Sequence, residues 1–73
     1  MYIIVAGAGV VGSSITKRLV SDHDVVVIDE NQSVAEKVYA KYGAVSVVGN
    51  ATNIDVLKDA GIEKADVAIG VMD

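Results

Sequence analysis

Apolar and polar positions fall into blocks along this chain, and the period inside each block predicts an element. Residues 2–6 (YIIVA) are a continuous apolar run, rich in β-branched side chains and ended by Gly7, which predicts a buried strand. Over residues 10–21, Val11, Ile15 and Leu19 recur every fourth position with Lys17 and Arg18 on the other side, predicting an amphipathic helix. A polar "SDHD" turn leads to a second apolar run, 25–28, that stops at Asp29 and Glu30. Ser33-Val34-Ala35-Glu36 then fits a capping box, in which a hydroxyl and a carboxylate satisfy the first helical N–H groups, and the helix it opens runs to about Tyr42. Gly43 stands where a left-handed C-cap is wanted. A third strand is expected at 44–48, a short helix at 53–60 closed by Gly61, and a fourth strand at 67–71.

The order β-α-β-α-β-α-β is that of an α/β fold. Strands apolar on both faces require helices above and below a parallel sheet. Right-handed crossovers then give the strand order 3-2-1-4, one half of a doubly wound Rossmann fold. No linker or repeat divides residues 1–73, so a single domain is expected. The sequence stops at Met72 and Asp73, just past the fourth strand, where a six-stranded sheet would continue. The expectation is a fragment of a larger domain, or a sheet completed by a partner.

Composition narrows the picture. With 73 residues the core is small, and without cysteine neither disulfides nor thiolate metal sites supplement it. The 52% apolar content, with three tyrosines as the only aromatics and no proline, is that of a globular chain. The apolar runs are far too short to cross a bilayer and no secretory leader is present, so a cytoplasmic protein is expected. The formal charge of −4 is dispersed, and its six cations form no stripe, which argues against nucleic acid as a partner.

The chemistry concentrates where the first strand meets the first helix. Gly7-x-Gly9-x-x-Gly12 follows a strand and opens a helix, and Asp29 ends the next strand seventeen residues past Gly12. Gly7 permits the tight turn, Gly9 lets a pyrophosphate approach the backbone, and Gly12 lets the helix lie close to the sheet. The N–H groups of Ala8, Gly9, Val10 and Val11, with the helix dipole, favour an anion. Asp29 suits both hydroxyls of an adenosine ribose, whereas its charge and that of Glu30 oppose a 2′-phosphate, so NAD(H) or a plain adenine nucleotide is favoured over NADP. The bland alternative is a tight turn with a solvated acid beside it.

Asn50, at the end of the third strand, either meets an adenine edge or joins Thr52 in a turn that caps the next helix. Ser13 and Ser14 either touch a phosphate or simply permit close packing. His23 reads as a solvated loop residue, and Tyr39 and Tyr42, at helical spacing, as packing residues.

Four stretches together resemble the N-terminal nucleotide-binding domain of TrkA-type potassium-uptake regulators, the RCK or KTN domain. They are "MYIIVAGAGVVGSSITKRL", "VVVIDEN", "VVGNATNIDVLKDAGIEKAD" and "VAIGVMD". The third is the most diagnostic, although this chain has Asn50 where the family typically has Asp. The resemblance implies a cytoplasmic module that senses NAD(H), ATP or ADP and controls a membrane potassium channel or transporter from its inner face. It implies phosphate contacts at 7–12, ribose contacts at Asp29 and Glu30, and adenine-side contacts at Asn50, Ala51 and Thr52.

Two other classes compete. A dehydrogenase fragment would share the glycine signature, yet no catalytic His, Lys or Tyr is placed near the loop, so an enzyme is not expected. A half-fold with a mainly structural role is the other, since an apolar fourth strand at a sheet edge is a template for pairing. A homodimer through that edge, or through exchange of elements, is expected.

Overall fold

The computed structural model describes residues 1–71, and Met72 and Asp73, the end of the last quoted stretch, lie outside the described residues. Seven elements alternate: β1 (Tyr2–Ala6), α1 (Val10–Leu19), β2 (Asp24–Asp29), α2 (Gln32–Tyr42), β3 (Val45–Val48), α3 (Ile54–Asp59) and β4 (Val67–Gly70). All pairings are parallel and the strand order is β3-β2-β1-β4, as the block pattern predicts.

Register assigns the faces. Tyr2 to Ala6 pair with Asp24 to Ile28, so Ile3, Val5, Val25 and Val27 point to one side and Ile4, Val26 and Ile28 to the other. The first set packs under α1 and α2 through Ile15, Leu19, Val38 and Tyr42; the second packs under α3 through Val56, Leu57 and Ala60. Each buried aliphatic side chain contributes about 1.5–3 kcal/mol relative to exposure. The two central strands are thus covered on both faces.

The edge strands differ from the expectation of burial on both faces. Val45 and Val48 on β3 are half exposed and three of the four β4 residues are exposed, because each of these strands has only one neighbour in the sheet.

Boundaries shift where local hydrogen bonds outcompete periodicity. α1 ends at Leu19, not at residue 21, since the Leu19 carbonyl accepts from both Asp22 and His23 and turns the chain down into β2. The capping box at Ser33 does not form. Asn31 is the N-cap instead, its side chain accepting from the Val34 amide at 3.2 Å, which starts α2 two residues earlier. Gly43 does close α2 in the left-handed conformation, with φ +74°. Asn53 caps α3 by accepting from Asp55 N–H at 2.8 Å.

Candidate functional site

The C-terminal ends of β1, β2 and β3 and the turns that leave them enclose a cleft of about 340 Å³. The glycine turn forms one wall. Gly7 has φ +113°, in the region that favours glycine, and a Cβ there would run into the Val71 carbonyl. Gly12, buried within α1, faces the Gly7 carbonyl so closely that a Cβ would overlap it. The two glycines interlock, and this brings the start of α1 against the end of β1.

Gly9 is the N-cap of α1, and no side chain caps the helix. Amides of the first turn, in the exposed residues Val10 and Val11, therefore have no side-chain cap and suit an anion. Ala8 departs from expectation: its N–H is not free but donates to Asp29 Oδ2 at 2.9 Å. Ser13 is likewise engaged, its hydroxyl donating to the Ala8 carbonyl at 2.8 Å, while Ser14 is exposed.

Asp29, at the end of β2, joins two turns. Oδ2 accepts from Ala8 and Oδ1 accepts from Asn31 N–H at 2.8 Å. A carboxylate has about four acceptor positions, so about two stay open. Glu30 lies exposed beside it on the same rim.

The β3–α3 turn supplies the third wall through Gly49, Asn50 and Ala51. The Gly49 amide donates to the Asp29 carbonyl at 2.9 Å, continuing the β2–β3 pairing to the cleft's edge. Asn50 does form a turn with Thr52, its Oδ1 accepting from Thr52 N–H at 2.8 Å and from the Thr52 hydroxyl at 2.6 Å, although the cap of α3 is Asn53 and not this turn. Thr52 does not line the cleft.

Gly7, Gly9, Asp29, Glu30, Asn50 and Ala51 therefore meet around one space, whereas Ala8 and Gly12 are buried behind its wall and Val10 and Val11 lie outside its lining. Five lining residues were missed by sequence reasoning: Ala6 and Ile28, read only as strand, and Val34, Gly49 and Val71. Gly49 was visible in "VVGN" as a strand-ending glycine; Val34 was read only as part of a cap, and Val71 only as strand.

The remaining candidates lie elsewhere. His23 is at the opposite end of the sheet, its Nδ1 3.2 Å from the Met1 amino nitrogen. Tyr42 packs against the core as expected, but Tyr39 is 63% exposed over the β3 edge and is not a packing residue. No cluster of three or more His, Cys, Asp or Glu suited to a metal occurs among the described residues. The cleft is lined by backbone at Gly7 and Gly9, the carboxylates of Asp29 and Glu30, Asn50, and the apolar Val34 and Val71.

Comparison with known proteins adds an independent line. Residues 3–73 match the TrkA-N domain family. The chain is 44% identical over 97% of its length to a Trk system potassium uptake protein TrkA homolog of Archaeoglobus fulgidus, and 36% identical over 97% to the Trk system potassium uptake protein TrkA of Vibrio alginolyticus. It spans 16% of the length of each. Among solved structures, the TrkA-N domain of the inner membrane protein ybaL from Escherichia coli superposes with a TM-score of 0.88 at 29% identity, over 97% of this chain and 53% of that one.

Proposed function

The chain belongs to the TrkA-N domain family, and on that premise we propose that it is a regulatory binding module for NAD(H) or an adenine nucleotide such as AMP, ADP or ATP. The observation that carries this reading is Asp29, held at the cleft's rim between the uncapped first turn of α1 and the Asn50 turn. Phosphate meets the amides of Gly9, Val10 and Val11, the ribose diol meets Asp29, and the base lies toward Asn50 and Ala51. Thr52 serves this site by shaping the turn. Glu30 adds charge that disfavours the 2′-phosphate of NADP.

The names of the curated relatives support a role in potassium uptake, in which nucleotide occupancy is relayed to a membrane transporter or channel subunit. The module would work on the cytoplasmic face. No helix among the described residues is long and apolar enough to cross a membrane. We assign it binding and not catalysis.

Self-association is a second proposal, favoured by the exposed β4 edge, whose backbone groups on one side pair with β1 and on the other with nothing among the described residues. A homodimer is expected by light scattering at tens of micromolar; a monomer there removes this proposal without touching the first.

Calorimetric titration with AMP, ADP, ATP, NAD, NADH and NADP tests the nucleotide reading. Binding of the unphosphorylated riboses, weak or absent binding of NADP, and a loss of roughly tenfold or more in affinity in Asp29→Ala are expected. No heat with any nucleotide would refute it.

A further inference from the structure

We propose that Asn50 makes the base subsite blind to the 6-amino group of adenine, so that the site selects a purine by its ring acceptors alone. This rests on the nucleotide reading above and concerns the base end of the same cleft. The assignment follows from the two bonds within the turn. Thr52 N–H can only donate, so the Asn50 atom it meets at 2.8 Å is the carbonyl oxygen, which fixes the orientation of the amide. The Thr52 hydroxyl donates to the same oxygen at 2.6 Å. A carbonyl oxygen has two lone pairs, and both are then occupied.

What remains of Asn50 for a ligand is Nδ2, which carries only donors. The usual pairing of an asparagine with adenine is bidentate: the oxygen accepts from the 6-amino group while the nitrogen donates to N7. Here the first half is unavailable without breaking the turn. A donor alone meets N7 or N1 of adenine, or equally N7 or the 6-oxygen of hypoxanthine. Of the three residues by which the β3–α3 turn lines the cleft, Gly49, Asn50 and Ala51, only Asn50 has a polar side chain. A carboxylate at this position would behave in the opposite way, since with one oxygen held by Thr52 the other still accepts, favouring the amine and repelling the 6-oxygen.

The test is equilibrium titration of the 73-residue chain with ADP and IDP, which differ at the 6-position. The unaltered protein is expected to bind the two within about threefold of each other, and Asn50→Asp to favour ADP over IDP by about tenfold. Asn50→Asp keeps an acceptor for Thr52, and a thermal melt like that of the parent confirms that its turn survives. Thr52→Val, which frees one lone pair of Oδ1, shifts the ratio toward ADP by a smaller factor. A tenfold or greater preference of the unaltered chain for ADP, or an unchanged ratio in Asn50→Asp, overturns the assignment and leaves nucleotide binding intact. Binding of neither nucleotide overturns both.

Discussion

Asp29 holds a backbone amide on each carboxylate oxygen, from Ala8 and from Asn31, so one side chain ties together the two turns at the cleft's rim. Asparagine offers a single oxygen, and in Asp29→Asn one of the two amides faces an NH₂ group. The expected loss is about 1–2 kcal/mol in denaturant unfolding, together with weakened nucleotide binding. Gly12→Ala acts differently. Its methyl overlaps the Gly7 carbonyl, which is backbone and cannot rotate away, so α1 must lift from the sheet at a cost of about 1–3 kcal/mol. The glycine spacing and the acid seventeen residues on were legible in the sequence, because both depend on residue type at fixed offsets. That Ala8 lends its amide to Asp29, and that Thr52 saturates Asn50, were not, since such bonds depend on how two turns meet in space.

At the level of elements, competition for the start of α2 separates pattern from geometry. Ser33 and Glu36 have the spacing of a capping box, but Asn31 comes first and its side chain reaches the Val34 amide. Asn31→Ala is expected to lower stability by about 1 kcal/mol, and Ser33→Ala by no more than about 0.5 kcal/mol; paired thermal melts distinguish them. If Ser33→Ala costs the more, the cap is at Ser33. Strand identity and order were legible because unbroken β-branched runs have one reading in a βαβ chain. The exposure of β3 and β4 was not, because an edge strand and a central strand of a parallel sheet share the same composition.

Across the whole molecule, the fully buried strand residues of the two apolar layers come from β1 and β2, with Ile69 of β4 and Val47 of β3 only partly buried against them, so little reserve of stability is expected in a chain of this size. A ligand bound to the folded state then has a large proportional effect. At one hundred times its dissociation constant it adds about 2.7 kcal/mol, and for a small domain this raises the melting temperature by roughly 10–20 °C. Scanning calorimetry with and without ADP measures it, and an unchanged melt at saturating ADP would contradict the proposed function. The 3-2-1-4 order, which places the cleft, followed from the sequence of elements and the handedness of crossovers.

The bond from Asp29 to both turns carries a consequence for signalling. The rim that would receive a nucleotide is already tied together before any nucleotide arrives, so occupancy has little left to order there. The buried Ala8 amide should therefore exchange slowly with deuterium in the empty protein, and little more slowly in the filled one. Under the proposed function, a receptor preorganised in this way would transmit by what the bound molecule presents to a neighbour, through its charge and its exposed face, more than by any rearrangement of its own loops.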